Sequence, residues 1–79
     1  MGSAFIKKLN KILELCSYNS SKKDCKYEFT LDCSFSSNMY SVFAYDKKTN
    51  EQYAISVAEK INFKNLKYTK RKIIELIKE

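Results

Sequence analysis

Lys26-Tyr27-Glu28-Phe29-Thr30-Leu31-Asp32-Cys33 alternates between polar and apolar residues along its whole length. Successive side chains on a strand point to opposite faces, so Tyr27, Phe29, Leu31 and Cys33 share one side and Lys26, Glu28, Thr30 and Asp32 the other. A period of two does not fit a helix, and the stretch is predicted as a half-buried strand. Downstream, Ser34-Phe35-Ser36-Ser37-Asn38 has turn composition and leads into a second strand from Met39 to Tyr45. Asp46-Lys47-Lys48-Thr49-Asn50 then makes a tight connection to a third strand, Gln52 to Val57. Two successive hairpins predict an antiparallel meander. On the third strand Tyr53, Ile55 and Val57 are expected on the apolar face, with Gln52, Ala54 and Ser56 on a small or polar one.

The flanking segments change period. Phe5, Ile6, Leu9, Ile12, Leu13 and Cys16 recur at helical steps opposite Lys7, Lys11 and Glu14, and Ser17 to Asp24 is expected to be a loop. From Ile61 to Lys78 a second helical stripe carries Phe63, Leu66, Ile73, Ile74 and Ile77. At 100° per residue Lys60, Lys64, Lys67, Arg71 and Lys78 fall within about a sixth of that wheel, giving the helix a cationic edge. The expected fold is α+β, in the order α-β-β-β-α, with a three-stranded antiparallel sheet and both helices on one face. Tyr27, Phe29, Leu31, Ile55 and Val57 should lie beneath Leu9, Ile12, Leu13, Ile73 and Ile77.

The 79 residues suit one domain with a thin core, since chains of this size bury only about 60% of their unfolded surface. Six Tyr and five Phe are too many for a disordered tail, and no apolar run approaches the ~20 residues of a membrane span. A net charge of +6 favours nucleic acid or an acidic surface as partner. The chain has no His, and its three Cys form no C-x-x-C pair, which argues against zinc and against thiol–imidazole catalysis. Cys25, near Lys22, Lys23 and Lys26, is the only thiol with cations close in sequence, and all three thiols read as small apolar residues. With no Gly after position 2, no phosphate-cradling loop can form, and Glu28 and Asp32 read as solvated or Lys-paired carboxylates. Neither an enzyme nor a bound cofactor or metal is expected. Three Cys without a targeting segment suggest a cytoplasmic protein.

Candidate RNA-binding residues follow from these strands and turns. Lys22, Lys23 and Lys26 precede the first strand, Lys47 and Lys48 occupy the second turn, and the alternation allows Phe43 and Tyr45 on the polar sheet face. Lysines neutralise phosphates, and aromatic rings on an open sheet stack on unpaired bases. Packing of the two rings on a partner or on the helices is the competing assignment.

The helix Phe5-Ile6-x-x-Leu9-x-x-Ile12, the strand Phe29-Thr30-Leu31, and Lys60-Ile61-Asn62 opening a helix with Leu66 and Tyr68 resemble the small Alu-domain proteins of the signal recognition particle. The resemblance spans Phe5 to Ile77. The helix and first strand are more similar to the fourteen-kilodalton subunit, and the short Ser34 to Asn38 turn to its nine-kilodalton paralogue, whose typical early Trp is absent here. It implies one shared fold and a heterodimer whose joined sheets grip the particle's RNA and slow translation during co-translational targeting. The implied partners are that RNA, a paralogous small subunit (or a second copy, as a homodimer), and indirectly the ribosome, without membrane insertion. Asp32, Cys33 and Phe43 stand where the family usually has basic residues, so no RNA contact is carried over by motif. Three other readings stay open, of which the first shares the element order and the last is an acidic membrane surface met by the basic amphipathic final helix. A double-stranded-RNA-binding domain would use Thr69-Lys70-Arg71-Lys72 but lacks its glycines and hairpin His, and a protein–protein module would add a partner's strand to an open sheet edge.

Overall fold

The alternating stretch becomes an edge strand, β1 (Tyr27–Ser34), in the computed structural model, which describes residues 3–78; Met1, Gly2 and Glu79 lie outside the described residues. The other elements are α1 (Ser3–Ser21), β2 (Met39–Asp46), β3 (Gln52–Lys60) and α2 (Phe63–Ile77). The antiparallel sheet has the order β1-β2-β3. Leu9, Ile12 and Cys16 of α1 and Leu66 and Ile73 of α2 join Tyr27, Phe29, Tyr40, Val42, Ala44 and Ile55 in one core. Both helices therefore cover the same sheet face. Their starts lie together, with the Phe5 and Phe63 ring centroids 4.4 Å apart.

Turn chemistry fixes the two hairpins. Asn38 closes the first and Asn50 the second, each with positive φ, a conformation Asn tolerates better than most residues. Asp46 organises the second turn, its Oδ1 accepting from the N–H groups of Lys48 (2.8 Å) and Thr49 (3.1 Å). These bonds, and then Lys26 and Lys48 nearby, hold its carboxyl below the ordinary value. A carboxyl depressed in the folded state contributes stability above its unfolded pKa of about 3.9 and loses it as pH falls through the folded value. Asp46→Asn should accordingly flatten the fall of Tm below about pH 4 compared with wild type. Equal acid sensitivity of the two would refute this role.

Four features differ from the sequence expectation. Helix α1 continues through the predicted loop to Ser21, because its polar residues bond locally. Asn19 Nδ2 donates to the Leu15 carbonyl (2.8 Å) and Ser21 Oγ to that of Tyr18 (2.8 Å). Strand β3 runs on to Lys60 and has register shifts on either side of its Val42–Ser56 pair. The extra residue at each shift inverts the alternation, so Ile55 and Ser56 are both buried while Val57 turns outward, 56% exposed. Leu13 is 50% exposed, lying ~140° around α1 from Lys8, which faces α2. Leu31 and Ile77 are only half-buried.

At the second irregularity Ala58 has φ 48°, a left-handed conformation that Cβ disfavours, and its N–H donates to Ser41 Oγ (2.9 Å). Ala58→Gly relieves that crowding and should raise stability by about 0.5–1 kcal/mol. A fall in Tm would show that the bulge is held for another reason. Cys16 is 2% exposed, and burial pushes its thiol up to about 11.

Candidate nucleic-acid interface

The lysines predicted from two separate stretches meet at one end of the sheet. Helix α1 ends there, and the connection through Lys22, Lys23 and Lys26 runs beside the β2–β3 turn, where the Lys47 N–H donates to the Lys26 carbonyl (3.0 Å). Lys23, Lys26, Lys47 and Lys48 line a single cleft of about 610 Å³.

The five cations are not equivalent. Lys47 Nζ donates to the carbonyls of Ser20 (3.0 Å) and Lys22 (2.9 Å), satisfying acceptors that a helix C-terminus leaves open and placing positive charge at the negative end of its dipole. Lys26 Nζ lies 3.8 Å from Asp46 Oδ2 and 5.3 Å from the Tyr27 ring centroid. Lys22 sits over Tyr18 at 5.0 Å. The ammonium groups of Lys23 and Lys48 form no hydrogen bond or ion pair among the described residues, although Lys48 lies near enough to Asp46 to favour its carboxylate. Lys47 thus terminates α1, a role that its place in a charged turn did not signal. Lys47→Met should destabilise the fold by about 0.5–1 kcal/mol in thermal or urea unfolding. No loss of stability would leave Lys47 as only another exposed cation.

Phe43 and Tyr45 lie on the uncovered sheet face, half-buried, alternating with buried Val42, Ala44 and Asp46. They do not pack on the helices. Tyr45 stands between Glu28 and Gln52, and Phe43 between Thr30 and Ala54, so the two rings form a row leading inward from the lysine end. The face also displays Glu28 and Asp32 of β1, and Lys60, opposite Met39, at the end away from the lysine cluster. Val57 joins this face through the bulge, an addition that strand alternation could not supply.

The edges of the sheet differ as well. β3 is interrupted by its bulges. On β1, Ser20 Oγ accepts from the Phe29 N–H (2.8 Å) and donates to the Phe29 carbonyl (3.3 Å), while Cys25 Sγ donates to the Tyr27 carbonyl (3.4 Å). The half of β1 from Leu31 to Ser34 lies beyond these contacts. On the same side, Ile6 (42% exposed) and Leu13 form the flank of α1 turned away from α2.

The arrangement defines a two-layer α+β domain with one basic end and an aromatic row on its open face. Among the described residues no group of His, Cys, Asp and Glu could hold a metal ion, and no helix is long and apolar enough to cross a membrane. Comparison with family models, with curated proteins and with solved structures finds no match to the chain.

Proposed function

We propose that this chain is an RNA-binding subunit of the signal recognition particle Alu-domain class, working in the cytoplasm beside a paralogous small subunit and acting on the ribosome through the particle's RNA. The observation that carries this reading is the meeting of Lys22, Lys23, Lys26, Lys47 and Lys48 at the end of an uncovered sheet face bearing Phe43 and Tyr45. Lysines anchor a backbone there while the aromatic row accepts unpaired bases, a combination that needs no cofactor.

The half-open β1 edge supports the partner subunit. A strand pairing along Leu31 to Ser34 would cover Ile6 and Leu13, and the same edge favours the second reading, a protein–protein module without RNA. Filter binding to a structured RNA tests the first reading against the second. With three to five phosphate contacts, log affinity should fall with log salt at a slope of roughly −2 to −4. A flat salt response, with and without a partner subunit, would reject RNA binding. Leu13→Glu should abolish association through β1 while leaving the monomer folded. Unchanged sedimentation of that variant with a partner would remove β1 as the interface.

A further inference from the structure

The two helices enclose a second cationic feature on the layer opposite the open sheet face. Lys8 of α1 and Lys67, Lys70, Arg71 and Lys78 of α2 line a groove of about 430 Å³, with half-buried Ile74 among them. Glu75 is the sole carboxylate among its described lining residues. None of the five cations forms an ion pair among the described residues. Lys67 stands three residues from Lys70 and four from Arg71, spacings at which like charges on a helix repel. The groove thus concentrates five cations around one carboxylate among the described residues.

We propose that this inter-helix groove is a second phosphate-backbone site, which binds RNA independently of the lysine end of the sheet. Three observations favour a phosphodiester backbone over other polyanions. Lysine is depleted in the cores of protein interfaces, whereas four lysines and an arginine line this groove around a single aliphatic side chain, Ile74. An anionic membrane binds through an apolar helix face as well as charge, and the groove itself offers only half-buried Ile74. Phosphates need only donors and charge, and the groove offers both. With one site along the helices and the other at the end of the sheet, one chain can hold two backbone segments at once.

The test compares two variants of equal charge, Lys67→Gln/Arg71→Gln in the groove and Lys7→Gln/Lys11→Gln on the exposed side of α1 outside it, in filter binding to a labelled stem-loop RNA across a salt series. The groove variant should reduce the magnitude of the salt slope by about 1.4–1.8, from ~0.7–0.9 counterion per contact, and the control should not. In a capture assay, wild type should retain a second, labelled RNA on beads carrying the first, and the groove variant should lose that bridging while still binding the beads. Equal slopes for the two variants, competition by polyglutamate at the same charge concentration as RNA, or loss of binding to phosphatidylserine vesicles with RNA binding intact would each overturn the proposal. If neutralising Lys22, Lys23 and Lys48 leaves RNA binding unchanged while the groove variant weakens it, the sheet-end reading fails and the groove stands.

Discussion

Replacing Lys22, Lys23 and Lys48 together by Glu should reduce affinity for structured RNA by at least about 100-fold near 0.1 M salt, with the slope of log affinity against log salt shallower by about 2–3. The three are chosen because, among the described residues, their ammonium groups form no hydrogen bond or ion pair, unlike Lys47 on the α1 carbonyls and Lys26 beside Asp46. The loss should be similar for all RNAs, since phosphate contacts position a nucleic acid without reading its sequence. Phe43→Ala provides the contrast. A stacked base contributes about 1–3 kcal/mol by such truncation, so affinity should fall roughly 5- to 150-fold with the salt slope unchanged. Filter binding of both variants, after circular dichroism has established equal helix content, separates the two contributions. If the triple reversal retains wild-type affinity, the lysine end does not bind RNA. If Phe43→Ala changes only association with a protein, the aromatic row belongs to an interface.

The largest expected effect on stability lies at Thr69. Its Oγ1 is 2.6 Å from the Tyr40 hydroxyl and 2.6 Å from Ser56 Oγ, so one side chain of α2 ties together β2 and β3. All three residues are buried, with Thr69 at 0% exposure. Thr69→Val preserves shape but takes the shared partner from two buried hydroxyls, each costing about 1–3 kcal/mol. Set against the ~4–12 kcal/mol typical of a chain this long, a loss of about 2–4 kcal/mol should lower Tm by roughly 10–30 °C. Tyr40→Phe should cost only about 1 kcal/mol, because Thr69 keeps Ser56. The triple variant Tyr40→Phe/Ser56→Ala/Thr69→Val should recover much of the loss, since removing every member leaves no orphan. Thermal unfolding of the set decides the matter: an unchanged Tm for Thr69→Val would mean that the hydroxyls find other partners.

The element order, the strand pairing and the covered face were legible because they rest on period and turn composition. Tyr27 and Phe29 announce an inward face at every second residue, and Asp46 to Asn50 announce a turn. What stayed hidden depends on contacts distant in sequence. Ser56 looked like an outward residue until Thr69, thirteen positions on, gave its hydroxyl a buried partner and the bulge turned Val57 outward. Asn19, Ser20 and Ser21 had loop composition, yet their side chains bond to α1 and β1 and prolong the helix. The lysine cluster was legible as two separate groups. Their meeting, and the different work of Lys47 within it, required the fold. Lys8 gave no signal at all, because its role depends on which side of α1 meets α2.

The Ser20 hydroxyl, in taking both main-chain groups of Phe29, bears on how this protein survives at high concentration. Ordered fibrils grow by recruiting uninterrupted segments of six or seven residues, and the eight-residue first strand, with Tyr27, Phe29 and Leu31 along one side, would otherwise present such a template along its outer margin. With Ser20 and Cys25 occupying its first half, the remaining run from Leu31 to Ser34 is too short to seed that growth but long enough to dock one neighbour. A single serine at a helix end thereby shortens the free edge that such growth would need.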